Sequence, residues 1–241
     1  MPRTLLTVLD DNRGREGLLN EWGWSLLVEP PDISPILFDA DTSPRVIGEN
    51  SRRLGVDLGA ISLAAISHEH SDHYGGMEYV ASVRPGVRVY VPPGLHLWAK
   101  GLDVKLVFNP SGVRLNKRYT LTPPLRASIG LYEHALVVDV GGGRSVVAVG
   151  CSHPGVERLA ALAMEYTGLR PLLVIGGFHG PSRWQLDKLA GLADYIAPAH
   201  CSGDDAVEYV RRRYPDKLVL VRTGSRILVV GEEGRVEVLD Y

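Results

Sequence analysis

Short apolar runs rich in β-branched residues recur along the whole chain. They fall at residues 5–9, 25–28, 36–38, 64–66 and 87–91, then at 135–140, 145–149, 172–175, 195–197, 218–221, 227–230 and 236–239. Most are bounded by Gly, Pro, Asp or Ser, so each is expected to be a strand. VVDVGGGRSVVAV predicts a hairpin that turns at residues 141–143. Longer stretches predict helices over residues 75–84, 156–167, 182–192 and 204–214. Gly168 is placed to stop the second of these, and Ser182 and Asp204 to cap the last two.

Both halves of the chain are strand-rich and carry strand–helix units. No linker, low-complexity stretch or charge block divides them. The expectation is one domain over residues 1–241, of α/β (α+β) class, with two sheets packed together and helices outside. Residues 92–126 are the least regular, with Pro92, Pro93, Pro110, Pro123 and Pro124 among Lys105, Arg114, Lys117 and Arg118. They read as a substrate-facing insertion or a surface excursion, with the charges solvated.

Charge and composition narrow the function classes. A net charge of -2 gives no basic field for nucleic acid or an anionic membrane, and Arg211, Arg212 and Arg213 read as a solvated helix face. No apolar run nears the ~20 residues that span a bilayer, and the first run meets Asp10 and Asp11 at once, unlike a signal peptide. The two cysteines, Cys151 and Cys201, suit a reducing cytoplasm, where the expectation is free thiols. Gln occurs once and Asn five times, a scarcity of thermolabile amides that points to a thermophilic source.

The chemistry is concentrated in ISLAAISHEHSDHYGG. An apolar strand runs into a loop with His68, His70, Asp72 and His73. Imidazole and carboxylate suit Zn, Mn or Fe. Four such side chains in so tight a loop do not converge on one ion comfortably. Two ions resolve this, with His68 and His70 on one and Asp72 and His73 on the other.

HEHSDH resembles the HxHxDH motif of the metallo-β-lactamase superfamily. The resemblance implies a four-layer αββα sandwich with two divalent metal ions at one edge of the sheets, Zn foremost and Mn, Fe or Mg as alternatives. It implies that Asp39, in ILFDADTS, orients the metal loop through hydrogen bonds, and that His200, in IAPAHCSG, is the last metal histidine. Where the family usually has a bridging aspartate this chain has Cys151, with His153 two residues on. The family's middle histidine falls by register on Leu131 and Tyr132. His153 is the expected replacement, with His134 as the alternative and Cys151 as a further candidate ligand.

LDDN (9–12), EWGWS (21–25), GCSHPG (150–155), GGFHG (176–180) and AHCSG (199–203) together resemble the branch named for 7,8-dihydropterin-6-methyl-4-(β-D-ribofuranosyl)aminobenzene-5′-phosphate synthase, which also holds proteins known only as metal-dependent hydrolases. The resemblance implies a small-molecule substrate and leaves three readings. In the first, hydrolysis of a phosphoester or other anionic compound, metals activate water. Asp72 then binds metal and orients the nucleophile, and His179 or His134 supplies the proton. In the second, a dihydropterin-methyl transferase releases pyrophosphate, with Trp22, Trp24 and Trp98 as stacking candidates. The third is a metal-dependent sensor without turnover. His96 reads as packing or surface, and the oligomeric state is open.

Overall fold

Apolar runs without a polar face call for sheets covered on both sides. The computed structural model describes residues 3–95, 101–108 and 110–239. Among them one sheet has the order β16 (Arg235–Leu239), β15 (Arg226–Val230), β1 (Thr4–Asp10), β2 (Ser25–Glu29), β3 (Ile36–Phe38), β4 (Leu63–Ala65), β5 (Val87–Val91), β6 (Leu102–Leu106). The other runs β14 (Tyr195–Ala199), β13 (Arg170–Gly177), β12 (Arg144–Val149), β11 (Leu136–Gly141), β8 (Tyr119–Leu121), β7 (Val113–Arg114). A short hairpin, β9 (Leu125–Arg126) with β10 (Tyr132–Glu133), stands apart.

Pairing is antiparallel from β16 to β3 and parallel from β3 to β6. It is again parallel across β12, β13 and β14. Parallel neighbours need crossovers. Four of them run through α1 (Pro44–Leu54), α2 (Met77–Val83), α3 (Val156–Thr167) and α4 (Arg183–Leu192), and α5 (Asp204–Arg213) follows β14.

Strand alternation sets the layers. Leu26, Val28, Ile36 and Phe38 meet Leu136, Val138, Leu173 and Ile175 between the sheets. Leu27 and Leu37 face Ile47, Met77 and Val80 of the first helix pair. Val137, Val147 and Val174 face Leu159, Leu186 and Val210 on the other side. The result is the expected αββα sandwich. No helix among the described residues is long and apolar enough to cross a membrane.

Several local expectations need correction. Helix α1 was not expected, because its buried face holds Asn50 and Ser51 beside Val46 and Ile47. Asn50 earns its place by donating to Leu9 O at 2.8 Å and Leu19 O at 2.9 Å. The described residues within 92–126 are more regular than expected and supply β6 to β9, with Tyr119 and Leu121 fully buried. Tyr119 Oη donates to Val28 O at 3.3 Å and Ser34 O at 3.2 Å, which makes room for a phenol in the core. Lys117 and Arg118 in this stretch pair with Asp32 at 2.6 and 3.1 Å.

Residues 218–221 form no strand beyond one bridge from Leu218 to Ile196. Val219 and Val221 point into the core and Leu220 outward, so the alternation imitates a strand. Asp204 does not cap α5, whose N-cap is Gly203, and its carboxylate pairs with Arg13 at 3.0 Å. Ser182 does cap α4, in a reciprocal capping box with Gln185. Trp24 is core, and His96 and Trp98 lie outside the described residues.

Candidate metal centre

The parallel strands deliver the chemistry at their carboxyl ends, the usual place for sites in such sheets. Asp39 follows β3, and His68 to His73 follow β4. Cys151 and His153 follow β12, His179 follows β13 and His200 follows β14. These ends bring together three groups whose ligand atoms lie within 4.8 Å of one another: His68, His70 and His153; Asp72, His73, Cys151 and His200; and Cys151, His179 and Cys201. His134 joins none of them.

Four of these imidazoles are held from behind. Asp39 Oδ1 accepts the Ser67 amide at 2.6 Å, and Asp39 Oδ2 accepts the Ser67 hydroxyl at 2.7 Å. Having donated its hydrogen, Ser67 Oγ accepts from His68 Nδ1 at 2.9 Å. Asp39 Oδ2 also accepts His73 Nδ1 at 2.7 Å. Glu133 Oε2 accepts His153 Nδ1 at 3.1 Å, and Asn12 Oδ1 accepts His200 Nδ1 at 3.1 Å. With Nδ1 protonated, each ring keeps a lone pair at Nε2. His70 instead presents Nδ1, 3.1 Å from His68 Nε2.

The donor set fits divalent cations. Asp72 Oδ2 lies 3.2 Å from His200 Nε2 and 3.7 Å from His73 Nε2. His73 Nε2 lies 3.2 Å from Cys151 Sγ. His200 Nε2 is nevertheless buried without an aligned hydrogen-bond partner. A buried polar atom with no partner, facing a carboxylate and a thiol, is the environment a cation satisfies.

The electrostatics agree. Burial, and then the neighbouring imidazoles, push His68 well below its ordinary range, which keeps it neutral. Burial also lowers His70. Burial would raise Asp72, but its contact with His200 and the charges of His73 and His200 outweigh that and hold it ionised. Cys201 is lowered to about 6, chiefly by the neighbouring Cys151 thiol, whose own ionisation is pushed up.

Among the described residues, the non-glycine positions with positive φ are Asp39 (57°), Asp41 (60°), Ser152 (60°), His179 (50°) and His200 (47°). All lie in or beside these loops, where backbone strain commonly marks function. Gly150 is required for close packing, since a Cβ there would stand 2.0 Å from Ser67 Oγ. At the rim, Trp22 is 61% exposed. It donates Nε1–H to Asp72 Oδ2 at 3.1 Å, and its ring lies 5.2 Å from His200. His179 is exposed, 4.4 Å ring to ring from His153.

Sequence reasoning missed Glu133. It is fully buried and also accepts the amides of Cys151 (3.0 Å), Ser152 (2.7 Å) and His153 (2.8 Å). Nothing beside His134 signals it. Asn12 was visible in LDDN but had no role until its contact with His200 was seen. His134 is fully buried, outside the three groups, and burial lowers it to about 4.

Solved structures share this fold. Tm1679, described as a metal-dependent hydrolase of the beta-lactamase superfamily, superposes with a TM-score of 0.77 at 26% identity over 94% of this chain and 99% of its own. A diphosphatase from the PhnP family gives 0.64 at 16% identity, covering 95% and 98%. The short form of human tRNase Z gives 0.60 at 13%, covering 94% and 99%. The last two likenesses speak for the fold alone. No curated protein sequence matches the chain significantly. The sequence model of the metallo-beta-lactamase superfamily matches residues 23–157, and the chain belongs to that superfamily.

Proposed function

We propose that residues 1–241 form a single hydrolase domain with two divalent ions, zinc foremost, acting on a phosphoester or other small anionic substrate. The first ion is assigned to His68, His70 and His153. The second is assigned to Asp72, His73 and His200, with Cys151 in place of a bridging carboxylate. The observation that carries this reading is the set of four imidazoles held at Nδ1 by oxygen acceptors, so that every Nε2 faces the centre. Such hydrogen bonds orient metal ligands and raise their basicity.

Bound ions would supply positive charge at the substrate oxygen and bring the pKa of water toward neutrality. The protein's own groups supply direction. Asp72, fixed by Trp22 Nε1, stays ionised and orients the attacking water through its carboxylate. His179, on the open side of His153, delivers a proton to the leaving oxygen from its imidazole. Trp22 stands at the rim against Asp72 and His200. The signatures around Cys151, His179 and Cys201 support placing the chain in the dihydropterin-related branch, which holds metal-dependent hydrolases as well as the synthase.

The test is metal content by mass spectrometry, followed on the same sample by phosphodiester and phosphomonoester hydrolysis. About two transition ions per chain with turnover is the expected result. Full metal with pyrophosphate release only when an aminobenzene acceptor is present would move the assignment to the transferase. No metal after reloading would overturn it.

A further inference from the structure

Filling the two positions above leaves Cys201 with no part in the site, although its sulfur, Cys151 Sγ and a His179 ring nitrogen lie within 4.8 Å of one another. We infer that Cys151, His179 and Cys201 form a third, thiolate-rich metal position for a soft or borderline ion such as zinc, sharing Cys151 with the second. The inference rests on the proposed function only for the role of Cys151.

Zinc–ligand bonds of 2.0–2.3 Å place tetrahedral donors about 3.8 Å apart at most. Small side-chain rotations close the remaining gap. The backbone is shaped around this triad. His179 itself has φ 50°, and the neighbours of the two cysteines, Ser152 and His200, have φ 60° and 47°. The Gly180 amide donates to Cys201 O at 3.0 Å, tying the His179 loop to the Cys201 turn. Gly177 lets these loops close, because a Cβ there would stand 2.7 Å from Cys201 Sγ and 2.5 Å from Gly150 O. Burial of Cys151 and exposure of His179 leave a route in from solvent on the imidazole side. Two sulfurs and one imidazole select zinc or copper(I) over manganese or magnesium. An ion held by His179 also removes the proposed proton carrier, so filling this position lowers turnover.

The experiment is anaerobic titration of reduced, metal-free protein with cobalt(II), reading ions bound per chain and the near-ultraviolet thiolate-to-cobalt absorption. Wild type is expected to take up one more ion than Cys201→Ser, and Cys201→Ser to lose much of the thiolate band. His179→Asn, which keeps a residue that tolerates the φ of 50° found there, is expected to lose the same ion. Equal uptake and an equal band in wild type and both variants would overturn the third position while leaving the two-ion reading intact. Unchanged uptake in His68→Ala would sink the two-ion reading, and the Cys201→Ser comparison would still decide the third position.

Discussion

Asp39 and His73 are both fully buried, and the Asp39 carboxylate accepts the imidazole Nδ1 hydrogen at 2.7 Å. The same oxygen takes the Ser67 hydroxyl, so one carboxylate sets the orientation of two histidines. Asp39→Asn is expected to weaken metal binding by about 10–100-fold, the usual cost of losing such a partner. Asparagine tolerates the left-handed backbone that Asp39 adopts at φ 57°, so the change isolates the carboxylate from the fold. Competition against a chelator measures it. Unaltered affinity would mean that Asp39 only braces the loop.

Glu133 gathers three backbone amides and His153 Nδ1 around one buried carboxylate. Glu133→Gln replaces an acceptor with an amide donor facing other donors. Loss of charged hydrogen bonds in a buried site costs about 3 kcal/mol. Urea unfolding of metal-free protein is expected to show a fall of that size, and a change below about 0.5 kcal/mol, the level of an ordinary surface substitution, would count against the caging role.

His68→Ala and His200→Ala are each expected to bind about one ion fewer than wild type, since each removes a ligand from a different proposed position. Normal content in both variants, with the fold intact by circular dichroism, would dismantle the site.

How legible this was depended on whether a feature is local in sequence. HEHSDH packs four donors into one loop, and the αββα layers follow from apolar runs whose alternate residues face different layers, as Leu136, Val137 and Val138 do. Cys151, His153 and His200 were placed by resemblance, each at the end of a strand. Glu133 was invisible because a lone glutamate beside a histidine has no pattern, and its role exists only where β10 crosses the β12 loop. Helix α1 was hidden because Asn50 is buried for its two backbone contacts rather than for apolarity. At 218–221 the period was right but the chain lacks a partner strand beyond Leu218.

The buried His134 gives a pH dependence with a definite sign. Burial lowers it from 6.5 to about 4 in the folded chain. Between these values the unfolded state binds a proton that the folded state refuses, so stability falls as pH falls. The contribution is complete above about pH 6.5 and is lost progressively toward pH 4, about 3 kcal/mol in all. His73 works the other way: burial lowers it, but the Asp39 charge and hydrogen bond raise it overall, so its contribution is present at low pH and lost as pH rises. Comparing metal-free wild type with His134→Leu separates the two. Wild type is expected to lose stability relative to His134→Leu as pH falls from 7 to 4.5, and a pH-independent difference would refute the assignment.

His179 is proposed to protonate the leaving oxygen, and leaving-group chemistry tests this apart from metal binding. A nitrophenolate departs without a proton, whereas an alkoxide needs one. His179→Asn keeps a residue that accepts the φ of 50° found there and removes the imidazole. For alkyl phosphodiesters its kcat is expected to drop by about 10²–10⁴-fold, the range for loss of a general acid. For nitrophenyl esters the drop is expected to be less than about tenfold, with the metal at the first two positions unchanged. Equal losses on both ester classes would place His179 in substrate binding rather than proton transfer. A loss that disappears in protein reconstituted with excess zinc, where the filled thiolate position already slows wild type, would tie His179 to the position it shares with Cys151 and Cys201.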